Sequence, residues 1–174
     1  YNIDITVVRT VDHGEKLMPT FDHQFTLDAP HPEVVAFHHS TSILRRLSPP
    51  PIFVHLHHVE PLAEGSISEF TMWFGPVPLR WKALHRNVSA AGFTDVQLSG
   101  PLAAWEHKHS FERISAGQTR VNEHIDYRHR SGWRGLLSRI VFNGPGLHML
   151  FAYRRLITTR ALKRRSTISV AAHS

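Results

Sequence analysis

The chain has 174 residues, 41% hydrophobic and 20% charged, which fits one domain burying about two-thirds of its unfolded surface and excludes disordered and fibrous classes. No apolar run approaches the ~18 residues of a membrane span, and the absence of cysteine excludes disulfide scaffolds, thiolate metal sites and cysteine nucleophiles. Lys plus Arg is 20 against 14 for Asp plus Glu; with Arg154, Arg155, Arg160, Lys163, Arg164 and Arg165 set aside, the remaining 14 cations balance the acids.

Those six cations fall in the last helical stretch, where they suit the negative end of the helix dipole. Contact with an anionic membrane surface is the alternative. Nucleic acid is not expected, because a binder spreads cations and aromatics over a whole face. The opening Tyr1-Asn2-Ile3-Asp4 has no basic region followed by an apolar core, so no signal peptide is expected and the cytoplasm is the expected location.

In chain order, residues 1–19 read as an extension with a possible strand at Ile3 to Val8. Phe21, Phe25 and Leu27 mark a first strand that stops at Asp28-Ala29-Pro30. His31-Pro32-Glu33 opens a short helix, since proline suits a first turn. A second short helix, Ser42 to Leu47, is cut by Pro49-Pro50-Pro51.

The period then changes to two. Ile52, Val54 and Leu56 alternate with Phe53, His55 and His57, which places His55 and His57 on the outer surface. Phe70, Met72 and Phe74 share one face, as do Trp81, Ala83 and His85. Gly92 leads into Phe93 to Leu98, and Gly100-Pro101 turns into a strand carrying Trp105, His107, His109 and Phe111. Ala116-Gly117 turns into Val121, Glu123, Ile125 and Tyr127. From Trp133 the spacing is helical, with a stripe of Trp133, Leu136, Leu137, Ile140 and Val141. Asn143-Gly144-Pro145-Gly146 breaks or kinks it, and Leu147, Leu150, Phe151, Ile157 and Ala161 carry it onward to a frayed tail after Arg165.

Short loops between strands imply an antiparallel meander, and its apolar face needs the long C-terminal helix as cover. With tight turns and no bulges, Gln97 faces Trp105 and Asp95 faces His107. His109 then faces Glu123, Phe111 faces Val121, Ala83 faces Asp95, and His85 faces Phe93. All lie on the face of Trp81 and Ile125, so two carboxylate–imidazole pairs are expected on the concave side.

Such groups are unfavourable near a core unless paired or hydrated. Three readings follow. Asp95–His107 and Glu123–His109 are buried pairs that fix register. They are oriented polar groups of a small-molecule site. Or they are acid/base groups for an aldol-type cyclisation, dehydration or isomerisation. His107-x-His109 with Glu123 also has the donor set of an iron or zinc site, but strand alternation produces that spacing readily and no metal is expected. Phe70, Met72, Phe74, Trp81, Trp105 and Tyr127 line a cavity or pack a core. No phosphate loop, nucleophile elbow or HExxH helix occurs, so no cofactor is expected.

The chain resembles the START-like, helix-grip (SRPBCC) superfamily, in its polyketide cyclase/dehydrase-like ligand-binding branch. Carrying the resemblance are Ala36-Phe37-His38-His39 with Leu47-Ser48-Pro49-Pro50, Gly75-Pro76-Val77-Pro78-Leu79-Arg80-Trp81-Lys82-Ala83, and Phe93-Thr94-Asp95-Val96-Gln97-Leu98-Ser99-Gly100-Pro101. Trp105-Glu106-His107-Lys108-His109-Ser110-Phe111 and Leu150-Phe151-Ala152-Tyr153-Arg154 complete it. It spans about residues 21–160. Glu123 departs from the aspartate common there, and Gly144-Pro145-Gly146 interrupts the long helix.

The resemblance implies an α+β helix-grip domain over residues 20–165, a curved antiparallel sheet of about seven strands around a C-terminal helix, with a flexible tail at 166–174. It also implies a cavity for a hydrophobic small molecule, aromatic, polyketide- or isoprenoid-like. The expected ligand contacts are Phe70, Met72, Phe74, Trp81, His85, Phe93, Gln97, Trp105, Phe111, Tyr127, Leu150 and Phe151. The alternatives are a cofactor-free cyclase, dehydratase or isomerase using His107, His109, Asp95 and Glu123, and a lipid or quinone carrier. Oligomeric state is left open.

Overall fold

The computed structural model describes residues 18–171; the strand expected at 3–8 lies outside the described residues. Strand β1 (Thr20–Leu27) ends at Asp28-Ala29-Pro30, and helix α1 (His31–His38) follows with proline at its N-terminus and Glu33 in its first turn. The second short helix is a 3-10 turn, Thr41–Arg45. It precedes β2 (Ile52–Val59), β3 (Ile67–Phe74), β4 (Val77–Ser89), β5 (Gly92–Ser99), β6 (Leu102–Ser115) and β7 (Gln118–His129).

The seven strands form one antiparallel sheet in the order β1-β7-β6-β5-β4-β3-β2. Every neighbour from β2 to β7 is a hairpin neighbour, as short loops require. β1 and β2, adjacent in sequence, occupy opposite edges because α1 and the 3-10 turn carry the chain across.

The C-terminal segment is two helices, not one. A 3-10 turn at Trp133–Gly135 leads into α2 (Leu136–Val141), and α3 (Gly144–Ala171) begins afresh. The break has a local cause: Asn143 caps α3, its Oδ1 accepting the Gly146 N–H at 2.7 Å, and Pro145 sits where no N–H is needed. α3 runs to Ala171, past the boundary at 165 drawn from the sequence.

The expected inward stripe on α2 is corrected. Trp133, Leu136 and Ile140 are exposed, while Ser138 is buried. Ser138 Oγ donates to the Gly135 carbonyl at 2.9 Å and meets His129 Nδ1 at 3.0 Å, fixing a polar phase that periodicity alone does not reveal. On α3 the inward face is Leu147, Phe151, Thr158, Ala161 and Leu162.

Two pairings expected on β4 and β5 are also corrected. Ala83 pairs with Gln97 and His85 with Asp95, rather than with Asp95 and Phe93. The turn falls at Ala90 and Ala91, and the register shifts between Arg86 and Ser89, where Asn87 takes φ 54°. The displacement is even, so every side chain keeps its face. Pairing of Asp95 with His107, of His109 with Glu123 and of Phe111 with Val121 is as the turns dictate.

Candidate functional site

Alternation along β4, β5, β6 and β7 turns His85, Asp95, His107, His109 and Glu123 toward the concave side. The two hydrogen bonds run diagonally, and two further ionic contacts run straight across between register partners. His107 Nε2 donates to Glu123 Oε2 at 2.8 Å, and His109 Nε2 donates to Asp95 Oδ2 at 3.2 Å. His109 Nδ1 lies 2.7 Å from Glu123 Oε2, an ionic contact whose angle falls short of an aligned hydrogen bond. His85 Nε2 approaches Asp95 Oδ1 at 3.3 Å in the same manner. The order is therefore His85, Asp95, His109, Glu123, His107. Of the pairs expected from register, Glu123 with His109 is present, whereas Asp95 bonds His109 instead of His107 and His107 bonds Glu123, because long side chains in a twisted sheet reach the diagonal neighbour.

The protonation states follow. Burial alone would lower His109, but the Glu123 charge and the contacts to Asp95 and Glu123 outweigh it and raise the imidazole to about 9. Burial and the adjacent His109 charge push His107 down to about 4 against the pull of Glu123. Burial opposes ionisation of Glu123, yet His109 and His107 hold its carboxyl well below the usual range; Asp95 is lowered in the same way, chiefly by His109. An imidazolium and a neutral imidazole thus stand with ring centres 3.9 Å apart. With Glu123 accepting from Nε2–H, Nδ1 is the unprotonated nitrogen of His107.

His85 is oriented from behind, its Nδ1 3.0 Å from both the carbonyl oxygen and the hydroxyl of Ser66. The carbonyl can only accept, so Nδ1 carries hydrogen and Nε2 faces Asp95. His38 donates from Nδ1 to the Val34 carbonyl at 2.8 Å, and burial lowers it to about 4.

These groups form one end of a cavity of about 420 Å³ between the sheet, α2, α3 and the segment after α1. Of the sequence-predicted contacts, Phe70, Met72, Phe74, Trp81, His85, Phe93, Trp105 and Leu150 are on its wall, with Asp95, His107 and His109. Gln97, Phe111, Tyr127 and Phe151 are not among its wall residues. Gln97 closes the β5–β6 turn, its amide bonding the Leu102 carbonyl at 3.0 Å and the Leu102 N–H at 3.4 Å. Phe111, Tyr127 and Phe151 are buried in the core. Glu123 is likewise off the wall, and it acts on the cavity through His107 and His109.

The other end is aromatic. The Trp81 and Trp105 rings meet edge-on at 5.6 Å, Phe70 stacks on Trp81 at 6.1 Å, and Phe142 lies 5.9 Å from Trp81 and 5.6 Å from Trp105. Pro50, Pro51, Ile140 and Met149 are both wall residues and exposed, which marks the mouth. Sequence reasoning missed His38, Phe142 and Arg154 as wall residues. The proline run and the Asn143 break hinted at the mouth, but helical spacing does not fix which face of α3 turns inward.

Donor atoms of Asp95, His107 and His109 lie within 4.8 Å of one another. A cation there would have to displace the His109–Asp95 contact, and Glu123, the carboxylate considered from sequence, is outside that group.

No family model matches the chain, and no curated protein matches it either. Solved structures do. The Zhui aromatase/cyclase from Streptomyces sp. R1128 superposes with a TM-score of 0.66 at 14% identity, covering 86% of this chain and 96% of its own. A START superfamily protein from Mycobacterium smegmatis gives 0.63 at 7% identity, covering 83% and 97%. The di-domain ARO/CYC BexL from the BE-7585A biosynthetic pathway gives 0.57 at 23% identity over 79% of this chain and 45% of its own. The chain has the START-like helix-grip fold, with the seven-stranded antiparallel sheet and long C-terminal helix that the fold requires. No helix among the described residues is long and apolar enough to cross a membrane.

Proposed function

We propose that the protein binds a hydrophobic small molecule, aromatic and polyketide-like or isoprenoid-like, in the cavity between the sheet and the C-terminal helices. One observation carries this reading: a hollow of about 420 Å³ with an aromatic end at Trp81, Trp105 and Phe142 and a polar end at Asp95, His107 and His109. Small-molecule sites combine an apolar wall with a few convergent polar groups. Similarity of fold to aromatase/cyclases and to a START protein supports the reading. Native mass spectrometry of the purified protein should reveal a co-purified small molecule, or Trp fluorescence should quench on adding anthracene-9-methanol, less so in Trp81→Phe. Failure of both would contradict it.

A second reading is favoured by the split protonation of the two histidines. His107, neutral, can accept a proton while the positive charge of the adjacent His109, whose two N–H groups face Asp95 and Glu123, favours a developing enolate, the help that enolisation, dehydration or ring closure of a 1,3-dicarbonyl needs. Under this reading the wild type accelerates α-proton exchange in benzoylacetone. His107→Gln should lose the acceleration while still quenching with anthracene-9-methanol. A wild type that leaves the exchange at its solvent rate would remove the enzymatic reading and keep the binding one.

A further inference from the structure

The cavity wall carries a cation that the histidine–carboxylate chain does not use. Arg154 reaches the wall from α3. Its Nε–H donates to the Leu47 carbonyl at 3.4 Å, and its guanidinium sits 5.0 Å from the centre of the Phe151 ring. Both partners are uncharged. Among the described residues, the cavity's carboxylates spend their ion pairs elsewhere: Asp95 faces His109 and His85, and Glu123 faces His107 and His109. The two terminal nitrogens of Arg154 are thus left with four N–H donors and no carboxylate within ion-pair distance.

A guanidinium is a planar fork that matches a carboxylate through two parallel hydrogen bonds, and such a pair is strongest where water is excluded. A partly buried cation without a charged partner is costly to keep dry. Burial lowers its pKa, and the fields of Glu123 and Asp95, from beyond contact distance, offset only part of that.

We propose that Arg154 is the recognition residue of this cavity and that its ligand is an aromatic carboxylate, with the carboxylate bidentate on the guanidinium and the rings against Trp81, Trp105 and Phe142. The assignment rests on the small-molecule reading above and narrows it to ligands bearing an anionic oxygen. It gives the two ends of the hollow separate tasks: aromatic surface supplies area, and Arg154 selects the head group.

The test uses the full chain and two fluorescent probes of nearly equal shape, anthracene-9-carboxylate and its methyl ester, titrated at neutral pH. The wild type should bind the carboxylate at least about tenfold more tightly than the ester, a preference of about 1.4 kcal/mol. In Arg154→Met the carboxylate should fall to the affinity of the ester, with the ester unchanged. Arg154→Lys should keep part of the preference. Retained ester binding shows that a variant is folded; if Arg154→Met fails that check, the wild-type and Arg154→Lys titrations decide. Equal affinity of the wild type for both probes, or a preference surviving in Arg154→Met, overturns the role of Arg154 and leaves the cavity reading intact. Binding of neither probe overturns both.

Discussion

Under α1, the side chains of Phe25, Leu27, Val34, Phe37, Phe111 and Val121 fill the space between sheet and helix. Beneath α2 and the start of α3, Phe70, Trp81, Trp105 and Phe142 stand around a hollow instead. Both ends arise from the same alternation on the same concave face. The histidine–carboxylate chain lies at the seam. His109 stacks at 4.2 Å on Phe93, which packs with the filled cluster and also lines the cavity, and His107 meets the buried Phe151 edge-on at 5.4 Å. Ion pairs here separate a packed core from an open cavity.

The largest effect is expected at the seam. His109→Gln leaves Asp95 and Glu123 without the cation between them, and removing one partner of such a buried network costs about 3–5 kcal/mol, readable by urea denaturation. Phe37→Ala, in the filled end, should cost a comparable 3–5 kcal/mol or slightly less by opening a cavity, while the folded fraction binds anthracene-9-methanol as the wild type does. Altered binding there would erase the distinction between the two ends.

The pH dependence comes next. His109, raised to about 9 from an ordinary 6.5, contributes stability that is complete below pH 6.5 and is lost as pH rises through 9. His107 and His38, held at about 4, contribute stability that is complete above pH 6.5 and is lost as pH falls through 4. Stability should peak near pH 6.5, each histidine adding on the order of 3 kcal/mol at most. His109→Gln should flatten the alkaline limb, and an unchanged limb would place the imidazolium elsewhere. The smallest effect is expected at the open end. Met72→Leu should alter stability by less than about 1.5 kcal/mol yet change affinity for anthracene-9-methanol, because Met72 is on the cavity wall.

Much of this was legible in the sequence because a period of two and tight turns settle which face a strand residue takes. Asp95, His107, His109 and Glu123 could be brought together from Gly100-Pro101 and Ala116-Gly117 alone. The β4–β5 register was not legible, since a bulge at Asn87 leaves no spacing signal. Neither was the diagonal linkage of the histidines, which depends on how far each side chain leans along its strand. Ser138 and Arg154 were missed for a third reason: helical periodicity gives a stripe but not its phase, so a serine turned inward on α2 and an arginine turned toward the cavity on α3 look like ordinary surface residues.

Chemical-shift mapping with a neutral polycyclic probe addresses the separation of the two ends most directly. On titrating anthracene-9-methanol into the protein, the indole signals of Trp81 and Trp105 and the imidazole signals of His107 and His109 should move together. The Val34, Leu27 and Val121 methyl signals of the filled end should stay in place. Shifts spread evenly over both ends, or indole signals that do not respond while the probe binds, would contradict the account.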